Sequence, residues 1–236
     1  MIVLESPAGK LTMIPLKDDL PTHSFPFVTI GLIVANLLAF YYQITLGESS
    51  EQLIFTYGAI PFNLMHPFEQ TVSIPDASAS IFASMFLHAG FLHLGGNMLY
   101  LWIFGNNIED VMGPVRFIFF YLICGIVAVF SHAGFDPTSR IPMIGASGAV
   151  SGVLGAYLVL FPRARVLTLI PIIIFINFSW LPAVVVLGFW FLMQVLNATL
   201  TQSGAGGVAF LAHVGGFVAG MSLIFLFRKR KNRYYS

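Results

Sequence analysis

Six polar side chains lie in the outer or middle parts of three of the apolar stretches, and their types indicate nucleophilic chemistry. A serine hydroxyl is a poor nucleophile until a base removes its proton, and a neutral imidazole within reach can be that base. Acyl transfer also needs hydrogen-bond donors for the developing oxyanion, which an amide, an imidazole or a backbone N–H can supply. The six residues are His88, His93, Asn97, Ser147, Ser151 and His213.

Four of these residues are spaced by one helical turn. His93 and Asn97 share a helix face, and so do Ser147 and Ser151, because residues at i and i+4 are neighbours on a helix. No Asp or Glu lies at this level of an apolar stretch. The residues therefore offer a serine–histidine dyad without an orienting carboxylate, with the His93 and Asn97 side chains and the Ser147 backbone N–H as oxyanion donors.

Glycines around the serine and the histidine predict close helix packing. Gly148-x-x-x-Gly152 and Gly216-x-x-x-Gly220 are patterns that let helix backbones touch in a membrane. Ser147 follows closely after another glycine, Gly145. Such an approach is what a direct hydrogen bond between the short Ser147 side chain and the His213 ring requires.

The composition predicts that these residues are held by membrane helices. Of 236 residues, 57% are hydrophobic and 9% are charged, with a mean hydropathy of +0.86. Soluble domains carry about 25% charged residues, and a globule of this size needs a polar surface. One cysteine, Cys124, excludes a disulfide scaffold, and the net charge of +1 gives no reason to bind nucleic acid.

The apolar runs predict an all-α polytopic bundle of six transmembrane helices. About 20 apolar residues cross a hydrocarbon core of about 30 Å. The segment 166–176 is expected to be a short interfacial or capping piece, because Pro171 and Pro182 divide a run that is too long for one helix. The predicted spans are 27–44, 81–105, 117–133, 143–161, 181–196 and 207–227.

Charge counting predicts that both termini are cytoplasmic. Six spans place ten of the eleven Lys and Arg residues on one side and Arg140 alone on the other, which is the positive-inside pattern. The chain is accordingly divided into a short cytoplasmic segment, 1–26, a membrane domain, 27–227, and a basic cytoplasmic tail, 228–236.

The predicted spans place the reactive residues at a common depth. Spans two, four and six run in the same direction, from outside to inside. His93, Ser147 and His213 lie 12, 14 and 14 residues before the inner ends of their spans. At 1.5 Å per residue they lie roughly 10 Å below the outer face of the core, where only water from outside could reach them.

Other interpretations of the same residues remain open at this stage. Ser147 in a Gly/Ala segment could simply pack helices, and the histidines could be structural donors. A metal site from His88, His93 and His213 would lack a carboxylate or thiolate, and no cofactor is expected. A proton or ion pathway would need titratable groups through the full depth of the membrane, and the inner half has few.

Four motifs together resemble the rhomboid family of intramembrane serine proteases. They occur in the order of the family and on its spans two, four and six, and the resemblance covers about residues 27–227. The motifs are His93-x-x-x-Asn97, Gly105-x-x-x-Glu109-x-x-x-Gly113, Gly145-Ala146-Ser147-Gly148 and Ala212-His213-x-x-Gly216-x-x-x-Gly220.

The resemblance implies a role for each matching residue. Ser147 would be the nucleophile and His213 the general base, while His93 and Asn97 would bind the oxyanion. Substrates would be transmembrane proteins cut near the outer end of their spans, in the lipid bilayer of a bacterial cell membrane. The supporting residues would be His88, Gly145, Gly148 and Gly216.

The family also points to substrate entry near span five. Phe189, Trp190 and Phe191 would line a gate there, although packing or lipid-facing aromatics explain them equally well. The loop 197–206 would cap the site. A non-catalytic protein that binds transmembrane clients is the main alternative function, and a transporter is the third.

The sequence departs from the family pattern at two places. Residues 78–82 lack the Trp-Arg pair that many members carry in the first outer loop, so this loop must be anchored differently. Ser151 stands where some members place an aromatic residue that stacks on the catalytic histidine, so the ring of His213 must be held by something else.

Overall fold

The computed structural model describes residues 13–69, 74–172, 175–200 and 208–229. Within these ranges the chain is mostly helical, and four helices are long and apolar enough to cross a membrane: Phe27–Thr45, Pro114–Phe135, Ala183–Leu200 and Phe210–Phe227. The helices are α1 (Phe27–Thr45), α2 (Ser50–Tyr57), α3 (Pro61–Met65), α4 (Ile74–Ser84), α5 (Phe91–Tyr100), α6 (Asn106–Met112), α7 (Pro114–Phe135), α8 (Ser147–Leu160), α9 (Ala183–Leu200) and α10 (Phe210–Phe227).

The helix at the centre of the bundle is α8, which packs against α7 and α10. It is buried along nearly all of its length from Ser147 to Tyr157. This explains why a 14-residue helix can be apolar on every side: small and apolar side chains face protein rather than solvent all around it.

The predicted second span has wrong boundaries. A break separates α4 from α5, and the helix that follows runs without interruption from Phe91 through a π-helical turn, Leu101–Gly105, to Met112. His88 lies in the break rather than on the helix. Its backbone polar groups are satisfied by Gln43 of α1, whose Nε2 donates to the His88 carbonyl at 2.7 Å and whose Oε1 accepts from the His88 N–H at 3.1 Å.

Glu109 caps the amino terminus of α1. One carboxylate oxygen accepts from the Val28 N–H at 2.9 Å, and the other accepts from the Thr29 N–H and hydroxyl, both at 2.7 Å. The first N–H groups of a helix have no partner within the helix, and a negative charge is favoured there. Glu109, which the sequence presents only as a member of a glycine-spaced motif, is buried and belongs to a helical turn that packs on α1.

The prediction of a helical membrane protein is confirmed in part: the described chain is mostly helical, but it is not all-α. Three strands form an antiparallel sheet in the order β1 (Ile14–Asp18), β2 (Arg165–Ile172) and β3 (Phe175–Pro182). Residues 166–172 and 175–176, predicted to be a short interfacial or capping segment, lie on the paired strands β2 and β3. The two faces of these strands differ in burial: Val166 and Thr168 are buried, whereas Phe178 and Trp180 on the other face are exposed.

The first connection, between α1 and α5, is anchored by Phe62. The guanidinium of Arg140 lies 4.0 Å from the centre of the Phe62 ring, and the His66 ring stacks on the same ring at 4.7 Å. The Phe62 N–H donates to the Ser139 carbonyl at 2.9 Å. A cation–π contact from the α7–α8 connection therefore ties down this segment.

Asp18 joins the sheet to the helical bundle. Its Oδ2 accepts from the Tyr157 hydroxyl of α8 at 2.6 Å and from Asn107 Nδ2 of α6 at 2.7 Å. Burial raises the pKa of Asp18 to about 6, and the hydrogen bond from Tyr157 opposes this shift.

This raised pKa predicts a pH dependence of stability. The folded state favours the protonated carboxyl, so its stabilising contribution is complete below the ordinary pKa of 3.8 and is lost as the pH rises through about 6. Asp18→Asn keeps an acceptor but does not titrate. We expect the melting temperature of the wild type in detergent, relative to that of Asp18→Asn, to fall between about pH 4 and pH 7. If the melting temperatures of the two proteins changed in parallel across this pH range, the raised pKa of Asp18 would be contradicted.

Candidate active site

Helices α8 and α10 bring a serine and a histidine together. Glycines at the contact between the two helices have no side chains, so the two backbones can approach closely. A Cβ built on Gly220 of α10 would lie 1.9 Å from the Gly152 carbonyl oxygen of α8, and one built on Gly216 would lie 2.1 Å from that of Gly148. Neither distance is sterically allowed, so α8 and α10 are in backbone contact.

Ser147 and His213 face each other across this contact. Ser147 is the first residue of α8, and its Oγ lies 2.8 Å from Nε2 of His213, which is within hydrogen-bond distance. Both side chains are buried, with exposed fractions of 8% and 2%. The hydroxyl and the ring are thus hydrogen-bonded in the interior of the helical bundle.

The turn before Ser147 receives two further polar side chains. Gly145 has a φ of +119°, a backbone conformation that residues other than glycine rarely adopt. A Cβ at this position would lie 2.7 Å from Nε2 of His93 and 3.7 Å from Nδ2 of Asn97. Both side chains of α5 therefore converge on the backbone next to Ser147, as an oxyanion site needs.

The hydrogen bonds of these side chains indicate which atoms donate. The Ala89 N–H donates to Nδ1 of His93 at 3.4 Å, so the neutral ring carries its proton on Nε2, toward Gly145. His88 contacts the Phe86 carbonyl through Nδ1 at 3.3 Å, so its Nε2 accepts from Nδ2 of Asn97 at 3.0 Å. His88 thereby accepts one of the two amide hydrogens of Asn97, and the same amide nitrogen lies near Gly145.

Two of the three aromatic residues expected at a gate, Trp190 and Phe191, pack between α9 and α10. The Trp190 ring is buried, with its centre 6.0 Å from that of His213, and Phe191 stacks on Phe217 at 4.6 Å. Phe189 is half-buried. Of the expected cap 197–206, residues 197–200 are the last turn of α9, and residues 201–206 lie outside the described residues.

Sequence reasoning missed one contact of His213. Oε1 of Gln194 on α9 lies 2.8 Å from Nδ1 of His213, and Gln194 is only 3% exposed. A signal for it was present, because Gln194 is a polar amide inside the apolar run of the fifth span. The Ser151 hydroxyl bonds elsewhere, donating to the Ser147 carbonyl at 2.6 Å.

These contacts leave His213 poorly suited to a metal. Both of its ring nitrogens are engaged, one by Ser147 and one by Gln194. Within the part of the chain that the structure describes, no three His, Cys, Asp or Glu side chains are grouped as metal ligands.

The fold and the site define a class of protein: a helical membrane protein with a serine and a histidine hydrogen-bonded in its interior. Residues 76–230 match the family model of the Rhomboid domain. The chain belongs to the rhomboid family, and the resemblance inferred from the four motifs is confirmed.

Curated relatives come from bacteria and mitochondria. The chain is 34% identical over 150 residues to Rhomboid protein 1, mitochondrial, of Saccharomyces cerevisiae, which covers 60% of this chain and 40% of that protein. It is 30% identical over 210 residues to the rhomboid protease GluP of Bacillus subtilis, covering 86% and 34%. A putative rhomboid protease of the same bacterium, YdcA, is 30% identical over 151 residues, covering 63% and 67%. The alignments thus span about a third to two fifths of the first two relatives.

Proposed function

We propose that this protein is a serine endopeptidase that cleaves transmembrane proteins within the membrane, near the outer end of their spans. The observation that carries the proposal is the 2.8 Å contact between Ser147 Oγ and His213 Nε2 in a buried site. Membership of a family with named proteases supports it.

The geometry supports a two-stage acyl transfer. His213 Nε2 accepts the hydroxyl proton as Ser147 Oγ forms a bond to the scissile carbonyl carbon, and the carbonyl oxygen becomes an oxyanion. His93 Nε2, Asn97 Nδ2 and the Ser147 N–H donate to that oxygen. The imidazolium then gives its proton to the leaving amine as the C–N bond breaks. Water, deprotonated by the same ring, hydrolyses the acyl-serine and returns the free hydroxyl.

The position of the site predicts the kind of substrate. Ser147 begins α8, so it lies about 20 Å from the Leu160 end of the helix. A peptide carbonyl inside a helix is already hydrogen-bonded and shielded, and it can reach Ser147 only after the helix unwinds. Transmembrane segments that are weakly helical near their outer ends are therefore the expected substrates.

We propose a six-span membrane domain, 27–227, between a short amino-terminal segment, 1–26, and a basic tail, 228–236. Support comes from six apolar helical units: the four long helices, the 14-residue α8, and the continuous helix 91–112. Location in a bacterial cell membrane is part of the proposal, and two of the relatives named above are bacterial.

Basic residues at one end of the bundle support cytoplasmic termini. Lys17 of β1 and Arg165 of β2 lie on paired strands. A Cβ on Gly113 would lie 3.0 Å from Cε of Lys229, so the end of α10 meets the start of α7. Arg140 follows the opposite end of α7. This charge separation fits the positive-inside rule.

A fluorophosphonate probe tests the proposal directly. We expect the purified wild type in detergent to be labelled, and mass spectrometry of the labelled peptide to locate the adduct on Ser147, because a hydroxyl activated by a base attacks phosphorus as it attacks a carbonyl. The protein should also cut a transmembrane reporter with a destabilised helix. Binding of the reporter with neither labelling nor cleavage would favour the client-binding alternative, and ion flux in sealed vesicles that survives Ser147→Ala would favour a transporter.

Loss of one oxyanion donor should slow the chemical step. We expect Asn97→Ala to lower kcat for reporter cleavage by about 10²- to 10³-fold with little change in KM, since the donor acts on charge that develops in the transition state. Asn36→Ala is the matched control, because Asn36 is also a buried asparagine in an apolar helix, bonded only to its own helix at the Leu32 carbonyl among the described contacts. Equal losses in both variants would contradict an oxyanion role.

A further inference from the structure

We propose that Gln194 is a positioning residue that holds the His213 ring in the one tautomer able to accept the Ser147 proton. This inference rests on the proposed function and adds a third member, carried by a different helix, to the serine–histidine pair. The sequence departure at Ser151 left open what holds the ring, and the structure offers this amide instead of a stacked aromatic residue.

The orientation of the Gln194 amide follows from its two contacts. Nε2 lies 3.4 Å from the Trp190 carbonyl oxygen, one turn earlier on α9. A carbonyl oxygen can only accept, so the amide nitrogen faces it and donates. The amide oxygen must then face the other way, and it lies 2.8 Å from Nδ1 of His213.

This orientation determines the proton on the histidine. An amide oxygen can only accept, so Nδ1 of His213 must carry the hydrogen. A neutral imidazole has one N–H, which leaves Nε2 with a lone pair directed at Ser147 Oγ, 2.8 Å away. In the other tautomer Nε2 would already hold a proton, and the ring could not act as a base toward the serine.

The environment of Gln194 explains why an amide fits here. Its side chain is buried, and the Trp190 and Phe210 rings lie around His213 with centres 6.0 Å and 6.5 Å from the imidazole centre. A carboxylate in such a place would carry a large desolvation penalty when the ring is neutral. The amide oxygen instead accepts from the neutral ring, and it can also accept from the imidazolium that forms when His213 takes the serine proton.

The test compares two variants of Gln194 with a control on the same helix. Gln194→Met keeps the length of the side chain and removes the acceptor, whereas Gln194→Glu keeps an acceptor. We expect Gln194→Met to lower kcat by about 10- to 100-fold with KM unchanged, because only the fraction of rings in the correct tautomer reacts. Gln194→Glu should recover most of kcat, because the buried carboxyl group stays neutral and its carbonyl oxygen can still accept from Nδ1 of His213. Gly188→Ala, whose Cβ would meet nothing within 4 Å, should stay within about twofold.

Nitrogen NMR provides a readout that does not depend on activity. In protein labelled with ¹⁵N-histidine, the His213 signals, assigned by their loss in His213→Ala, should show the Nδ1–H form in the wild type. They should show a mixture of tautomers in Gln194→Met. An unchanged tautomer, or a Gln194→Met enzyme with kcat within about twofold of the wild type, would overturn the inference.

The two proposals can fail separately. A wild type that is neither labelled nor active overturns the protease assignment, and the NMR comparison still decides whether Gln194 sets the tautomer. A wild type that is labelled on Ser147 while Gln194→Met reacts at the same rate overturns only the role of Gln194.

Discussion

Replacing Ser147 by alanine should lower cleavage of a helix-destabilised transmembrane reporter by about 10³-fold or more, to the background rate. The reason is that no other hydroxyl occupies the position 2.8 Å from His213 Nε2 in the described residues. His213→Ala should cause a loss of similar size, because the serine then has no base. The measurement is the initial rate of cleavage in detergent and in liposomes.

The double variant makes this prediction more demanding. If Ser147 and His213 act as one unit, Ser147→Ala/His213→Ala should be no slower than either single variant. Ser151→Ala is the matched control, since Ser151 is a buried serine one turn along the same helix whose hydroxyl is bonded to the Ser147 carbonyl. Losses that add in the double variant, or a loss in Ser151→Ala as large as in Ser147→Ala, would argue against the dyad.

Gly220→Ala should destabilise the fold and abolish activity together. Its new Cβ would lie 1.9 Å from the Gly152 carbonyl oxygen, and the clash is with backbone, which cannot rotate away. The helices α8 and α10 must then separate by about 1 Å or more, at a cost of about 3 kcal/mol. The same two helices carry the Ser147–His213 hydrogen bond, so it should be lost as they separate. Thermal unfolding and probe labelling of the purified variant measure the two effects.

A second glycine supplies the control for this experiment. Gly31 of α1 has nothing within 4 Å of an added Cβ, and alanine is a better helix former than glycine. Gly31→Ala should therefore leave the melting temperature unchanged or slightly higher, with full labelling. If Gly220→Ala melted at the same temperature as the wild type, the backbones of α8 and α10 would have to lie far enough apart to accept a Cβ at this position.

Sequence patterns were most informative where neighbours along the chain share a helix. The glycine spacings predicted which helices could touch, and the types of Ser147 and His213 suggested what could meet there. The sequence did not predict the Gln194–His213 contact, because the two residues are 19 positions apart on different helices. A single amide in an apolar run also forms no repeating pattern that would indicate its partner.

The sheet was missed for a related reason. Apolar runs of this length do not distinguish helix from strand, and the pairing that decides the matter joins residues near 15 to residues near 168. Glu109 shows the same limit, since the spacing of its motif does not indicate which groups the carboxylate bonds. Its actual role depends on α1, 80 residues earlier in the chain.

The cap that Glu109 provides also constrains the order in which the protein can be assembled. Synthesis proceeds from the amino terminus, so α1 exists long before residue 109 leaves the ribosome. Until then the Val28 and Thr29 N–H groups can donate only to water or lipid headgroups. Strand β1 pairs with β2, which is synthesised later still. Helix α1 therefore reaches its final bonds only after Glu109 has been synthesised, so a nascent chain stalled before this glutamate should hold α1 in a frayed state.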